Sequence, residues 1–275
     1  MATRVVHNVN SRAYPGTQAV LRAVRLLKAI GKAPTEPTLG ELVRAVGLNK
    51  TTAYRLLTAL EAEGLVERGT SDGYRLGPEL AALGSRALGA RDLREAARGE
   101  LTALAKQTRE TAHLEVRVGA ETLILDEVMG SHRVGTTPSL GTRWPAHATS
   151  TGKVLLAALS DDGLDALLKP PLAALTPRTI TELKALRREL QRVRERGYAT
   201  GIEELEPGYM AVAVPVVARD GQVVAAVGIG GPRVRLDPER LAAIAKTLPR
   251  HAARISERLG ALPLSPAAIL REERR

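Results

Sequence analysis

Along residues 17–64 the apolar side chains return every three or four positions, in three short blocks. In "TQAVLRAVRLLKAI", Val20, Val24, Leu27 and Ile30 fall on one helical face, with Thr17 placed to cap the helix and Gly31 to stop it. A second block follows Thr38 and Glu41, which stand in the capping-box relation ahead of Leu42 and Val46, and it closes at Gly47. In the third, Asn49 is placed to cap a helix that carries Ala53, Leu56, Leu57 and Leu60 inward until Gly64. Three helices, the last two separated by a joint of about four residues, predict a helix-turn-helix. The stretch "LVERGTSDGYRL" then reads as two short strands around the turn-forming "TSDG", a β-hairpin wing.

Beyond the wing the pattern changes twice. "GPELAALGSRALGARD" is an apolar-periodic helix opened by Pro78, a residue suited to a first helical position, and predicts a linker over 78–92. From Leu93 helices and strands mix. A helix to Thr108 precedes strands at His113 to Val118 and Glu121 to Val128, an extended stretch to Pro145, and a helix from about Thr149. Thr179 and Glu182 make a further capping-box pair ahead of a charged helix that runs to Arg196. Strands follow at Tyr198 to Ile202, Met210 to Val217 and Gln222 to Gly230, the last two joined by "ARDGQ". Asp237 before Pro238 opens a closing helix that reaches Leu259. The expected chain is α+β: a loosely ordered segment 1–16, a winged helix-turn-helix over 17–77, the linker helix, an antiparallel-sheet domain over 93–260 and a loose tail over 261–275.

Composition agrees with two cores. The chain has 275 residues, enough for two ordinary domains, and 44% hydrophobic with 25% charged residues is a soluble globular composition. No apolar run approaches the roughly 20 residues that span a bilayer. "MATRVVHNVNSRAYPG" lacks the apolar core of a secretion signal, so a cytoplasmic protein is expected. The absence of cysteine excludes disulfides, thiolate metal sites and a Cys nucleophile. With no Phe and one Trp, the cores must be built from Leu, Val, Ala and Ile.

Charge changes the picture more. The net charge is +10, and residues 1–91 carry 13 Lys/Arg against 7 Asp/Glu while residues 92–275 carry 27 against 23. The excess sits at the predicted helix-turn-helix, which points to a polyanion; the alternative is a basic solubilising surface. The third helix sharpens this. Asn49, Lys50, Thr51, Thr52, Tyr54 and Arg55 fill its first turns with short donors for phosphates and longer ones for base edges of double-stranded DNA. Arg68 and Arg75 on the wing extend toward the flanking backbone or minor groove. A solvated amphipathic helix in a three-helix bundle is the competing reading.

These residues resemble the IclR family of bacterial transcription regulators, from "TQAVLRAVRLLKAI" through "LGELVRAVGLNKTTAYRLLTALEAEGLVER" to "GYRLGPELAALG". "PAHATSTGKVLLAAL" and "RERGYATGIEELEPGYMAVAVPVVARDGQVVAAVGIGGP" are similar to the family's two effector-domain signatures. The resemblance runs from about residue 17 to 260. It implies a GAF-like sensor fold, homodimers or dimers of dimers on palindromic operators, and a small-molecule effector, with no enzymatic activity and no cofactor.

The sensor carries motifs that imitate others. "HATSTGKV" has His147 where a phosphate loop needs Gly and Val154 where it needs Ser or Thr, and "GIGGPR" lacks the last Gly of a dinucleotide fingerprint. His147 and Ser150 lie three apart with no acid placed to complete a triad. His113 and Glu115 share a strand face, which leaves a metal pair as an alternative to a salt-linked surface pair, and no metal is assigned. A helix start at "ATSTGK" attracts a carboxylate through its free N–H groups. The resemblance places Ser150 and Thr151 at the effector-contacting helix start and Gly201, Ala211, Gly228 and Gly230 on the facing strands. Four small residues there imply room rather than hydrogen bonds, hence an effector with an aromatic or apolar body and an acidic end. Glu203 and Glu204 match an acidic pair of the family whose role reads as structural. Whether the protein represses or activates is open. A non-sensing DNA-binding scaffold and an enzyme with a DNA-binding head are the competing functions.

Overall fold

The structure is a computed structural model that describes residues 17–69, 72–80, 83, 90–132, 137–262 and 266–272. The chain divides into two compact units, Met1–Gly89 and Ala90–Arg275. The loose segment 1–16 and most of the linker helix expected over 78–92 lie outside the described residues.

In the first unit α1 (Gln18–Lys32), α2 (Leu39–Val46) and α3 (Lys50–Ala62) close on Leu26, Ile30, Leu42, Ala53, Leu57 and Leu60. The α2 capping box forms as the spacing predicts: Glu41 N–H donates to Thr38 Oγ1 at 3.4 Å, and Thr38 N–H donates back to Glu41 Oε2 at 2.8 Å. Gly47 then takes a φ of 68°, a left-handed conformation that lets the chain reverse into α3 without strain. Asn49 Oδ1 accepts from Thr52 N–H at 2.8 Å and starts α3. Thr17, in contrast, makes no side-chain cap bond, since its backbone is already helical at ψ −6°. Strands β1 (Val66–Arg68) and β2 (Tyr74–Leu76) pair antiparallel as the wing, and Val66 and Tyr74 anchor it in the same core.

The second unit is built on a six-stranded antiparallel sheet in the order β5-β4-β3-β8-β7-β6. Its strands are β3 (Thr111–Val118), β4 (Glu121–Val128), β5 (Arg143–Pro145), β6 (Ala199–Ile202), β7 (Tyr209–Val217) and β8 (Val223–Pro232). Alternation sorts the two faces by size. Leu114, Val116, Val212, Val214, Val227 and Ile229 pack with α4 (Ala90–Thr108) and α8 (Pro238–Arg258). Ala199, Ala213 and Ala226 face the other way, toward α5 (Ser150–Ala157), α6 (Asp161–Leu167) and α7 (Leu183–Arg196). On that side the helices can come close because the strands present little side chain. Asp237 caps α8 through Arg240 N–H at 2.8 Å.

Two expectations fail here for identifiable reasons. Thr179 does not cap α7, which starts at Leu183 with Glu182 as an N-cap that makes no side-chain bond. Its hydroxyl donates instead to the buried Glu204 carbonyl at 2.7 Å and accepts the N–H of Leu175 and Thr176, so it is committed to that turn and not to the helix start. Residues 266–272, expected in a loose tail, form α9, whose Ile269 and Leu270 are buried against β7 and α7.

Candidate nucleic-acid interface and ligand cavity

In the first unit the predicted DNA-facing residues divide by what already holds them. Lys50, Thr51, Tyr54 and Arg55 are exposed on the outer side of α3. Lys50, Thr51 and Arg55 have no side-chain hydrogen bond or ion pair among the described residues. Asn49 and half-buried Thr52 are joined in the cap, so Asn49 Oδ1 holds the frame instead of reaching outward. On the wing Arg68 stacks between the rings of Tyr74, 5.3 Å away, and Tyr54, 5.9 Å away, and pairs with Glu61 at 3.6 Å. Arg75 is bound to Glu67 at 2.8 Å. Both wing arginines are exposed yet paired, each with a glutamate. Glu41 lies at the rear of this frame, its carboxyl held below the usual range first by the Thr38 N–H and then by the Thr38 hydroxyl.

The second unit encloses a cavity of about 180 Å³ between the start of α5 and the small-residue face of the sheet. Cross-strand register builds its floor. One row runs Gly201, Ala211, Gly230, Thr111; the next runs Ala199, Ala213, Gly228, His113, Glu127. Ser150, Thr151, Gly201 and Ala211 line the cavity as expected, but Gly228 and Gly230 do not. A Cβ on Gly228 would sit 2.7 Å from His113 Nε2, and one on Gly230 would overlap the Tyr209 hydroxyl. The space that these two glycines leave is already filled by an imidazole and a phenol. Of the four strand positions, only Gly201 and Ala211 leave room at the cavity.

The start of α5 is held tightly against this floor. Thr149 Oγ1 accepts from Gly152 N–H at 2.9 Å, which leaves the Ser150 and Thr151 N–H groups as the free donors of the first turn. The Ser150 nitrogen lies 3.4 Å from the position of a Cβ on Gly201, so a larger residue there would crowd the helix start. Thr151 Oγ1 donates to Glu115 Oε2 at 2.7 Å, and Glu115 Oε1 lies 3.5 Å from His113 Nε2. His113 and Glu115 thus stand side by side, buried at the cavity and not on the surface. Among the described residues no group of three or more His, Cys, Asp or Glu side chains converges as metal ligands would.

Lys153, 1% exposed, reaches across to Glu204 Oε1 at 2.5 Å. The turn that carries Glu204 is pinned from behind: Thr176 donates to the Glu203 carbonyl and Thr179 to that of Glu204, each at 2.7 Å. Glu203 itself has a φ of 55° and receives Gly208 N–H, which first lowers its carboxyl, with Arg233 and Arg178 adding to the effect. It is structural. On the opposite wall Glu127 accepts from Ser139 N–H at 2.6 Å and Leu140 N–H at 2.9 Å, tying that loop to the cavity. Burial first, then Glu115, Glu127 and Glu206, push the Tyr209 phenol upward, so it stays protonated and can donate at neutral pH. Four carboxylates, of Glu115, Glu127, Glu204 and Glu206, line the cavity, and no Lys or Arg does among the described residues.

Sequence reading missed Glu127 and Tyr209 and did not connect His113 and Glu115 with the cavity. The signal present was the alternation Thr111, His113, Glu115 against Ala112, Leu114, Val116 on a strand buried on both faces. Polar alternation inside a buried strand marks a site and not a solvated face.

Comparison with known proteins covers both units. Residues 19–69 match the IclR helix-turn-helix domain and residues 85–257 match the bacterial transcriptional regulator IclR C-terminal domain. The chain is 34% identical over 248 residues to the HTH-type transcriptional regulator XynR of Escherichia coli, covering 90% of this chain and 98% of that one. The crystal structure of Thermotoga maritima IclR superposes with a TM-score of 0.69 at 33% identity, over 88% of this chain and 98% of that one. A homologue from Microbacterium hydrocarbonoxydans, solved in complex with 4-hydroxybenzoate, superposes with a TM-score of 0.77 at 28% identity, over 88% and 98%. No described helix is long and apolar enough to cross a membrane.

Proposed function

The chain belongs to the IclR family of bacterial transcription regulators, and from that premise we propose that Lys50, Thr51, Tyr54 and Arg55 read an operator while the sheet cavity holds the effector that changes operator binding. Its relatives are regulators and not enzymes, with an N-terminal DNA-binding and a C-terminal effector-binding domain. The observation that carries the reading is the outer face of α3: the exposed side chains of Lys50, Thr51 and Arg55 have no hydrogen bond or ion pair among the described residues, on a helix whose start and entry angle are fixed by Asn49 and Gly47. A helix that served packing alone would not keep that turn free.

Arg68 and Arg75 fit flanking phosphate contacts made by exchange from Glu61 and Glu67. Val20, Leu21 and Val24 stay exposed on α1, which favours a homodimer or dimer of dimers and hence a palindromic site, in the cytoplasm. For the effector, the free N–H groups of α5 favour a small organic acid. Gly201 and Ala211 leave space for a compact aromatic or apolar body, and the 4-hydroxybenzoate held by the Microbacterium homologue has that shape. An effector acts by binding two arrangements of the regulator unequally.

Fluorescence anisotropy on the intergenic DNA upstream of the gene, against scrambled DNA, at two salt concentrations and with a panel of aromatic and aliphatic acids, tests both halves. Selective binding that one acid releases or strengthens is expected. Equal binding to both DNAs that responds only to salt would leave a non-sensing scaffold.

A further inference from the structure

The phenol of Tyr209 lies on the cavity floor. Its ring bends from the start of β7 over Gly230, where any Cβ would overlap the hydroxyl, and the neighbours of Gly230 in that cross-strand row, Ala211 and Thr111, both line the cavity. The hydroxyl makes no hydrogen bond among the described residues, yet it is not one of the sealed side-chain atoms without a partner, which are Thr122 Oγ1, Ser150 Oγ and Glu204 Oε2. It therefore keeps open surface, and the residues around it place that surface in the cavity. The carboxylates that act on it do not claim its hydrogen. Glu127 holds Ser139 and Leu140, Glu115 holds Thr151, and Glu206 stands exposed. Burial first, and then the charge of these three, keep the phenol protonated. A half-buried hydroxyl in this state is a donor without an acceptor.

We propose that Tyr209 is a specificity-determining residue of the cavity, its hydroxyl donating to an uncharged oxygen of the effector: a carbonyl, ether or hydroxyl. A second carboxylate at that place would meet Glu115, Glu127 and Glu206, with no Lys or Arg among the described lining residues to offset it. An ammonium would be drawn to the same carboxylates, but it offers the phenol no lone pair and leaves its hydrogen unmet. The effector class is thus an organic monoacid with a second, neutral oxygen. This rests on the reading of the cavity as the effector site. It adds the group that discriminates: Gly201 and Ala211 admit a body by its size, and the phenol sorts bodies by whether they carry an acceptor. Gly230 is what the sequence supplies for it, since any side chain there would take the place of the hydroxyl.

Isothermal titration calorimetry on the full chain tests it with matched acids: 3- and 4-acetylbenzoate against benzoate, 4-oxopentanoate against pentanoate, and terephthalate and 4-(aminomethyl)benzoate as the charged counterparts. At least one keto acid should bind about three- to tenfold more tightly than its parent, and both charged acids should bind more weakly than benzoate. Tyr209→Phe keeps the ring over Gly230 and should abolish the preference by weakening the keto acid, with the parent acid within about twofold of its wild-type affinity and the melting temperature near that of the wild type. Equal weakening of keto acid and parent would make the phenol a mere part of the wall, and a preference that survives Tyr209→Phe would place the acceptor elsewhere; either result overturns the proposal. So does tightest binding by a charged acid, or a wild-type series without a keto preference, which decides the matter even if the variant does not fold. Binding of none of these acids removes the effector-site reading and this proposal with it, whereas a missing keto preference among acids that do bind removes this proposal alone. The regulator reading stands or falls separately, on selective operator binding by the same preparation.

Discussion

In the first unit Asn49 caps a helix whose Lys50, Thr51, Tyr54 and Arg55 are exposed; in the second, Thr149 caps a helix whose Ser150, Thr151 and Lys153 are buried. The cap geometry is the same in both, an oxygen accepting from the N–H three residues on. What differs is the surroundings. On α3 Lys50, Thr51 and Arg55 take no part in the frame that carries them, whereas on α5 Thr151 binds Glu115 and Lys153 binds Glu204. A change on α3 should cost binding and spare the fold, and a change on α5 should cost the fold first.

The largest effect expected from this contrast is at Lys153. Lys153→Met leaves the Glu204 carboxylate buried without its counter-charge, a loss of about 3–5 kcal/mol. Urea unfolding followed by the fluorescence of the single tryptophan, Trp144, which lines the cavity, reads that loss directly. Retention of full stability would show that burial on α5 does not commit its charged groups to the fold.

Arg55→Ala is the counterpart on α3. Operator affinity should fall by about ten- to a hundredfold, with unfolding free energy within about 0.5 kcal/mol of wild type. A comparable loss of stability would mean that the outer turn of α3 belongs to the frame after all.

Next comes the frame itself. Thr38→Ala removes the capping box and should destabilise α2 by about 1 kcal/mol, seen as faster amide exchange across Leu39–Val46. The Glu41 carboxyl is held below its ordinary value in the folded unit, so its contribution is present above the unfolded value and fades as pH falls through the folded one. Amide protection of α2 should accordingly weaken on acidification in the wild type and respond less to pH in Glu41→Gln. The smallest effect is on the wing. Glu67→Gln releases Arg75 and should tighten operator binding about two- to threefold, with a steeper dependence on salt, measured by the same anisotropy titration.

In the first unit α2, α3 and the wing were legible in the sequence, because caps, apolar period and turn residues act within a few positions of one another; on α1 Thr17 makes no cap bond, and Val20 and Val24 stay exposed while Leu26 is buried. Thr38, Gly47 and Asn49 do in the structure what their spacing predicts. The cavity was legible only where one helix start decides it, at Ser150 and Thr151. Gly228 and Gly230 looked like open floor since nothing local says that His113 lies opposite Gly228 across a strand pair 115 positions apart, or that Tyr209 bends back over Gly230. Thr179 failed as a cap for the same reason: its partner, the Glu204 carbonyl, is 25 residues away. Ile269 and Leu270 read as tail because their short block has no amphipathic neighbour in sequence, only in space.

The glycines beneath His113 and Tyr209 carry a consequence for how this cavity could change its preference over generations. A side chain cannot appear at Gly230 while the phenol occupies its place, nor at Gly228 while the imidazole does. Replacement at Tyr209 or His113 has to come first, and the reverse order passes through a sheet whose strands are forced apart. Two single steps that look independent in a sequence are thus ordered in time, and a route to a new ligand that begins on the floor is closed until the wall has given way.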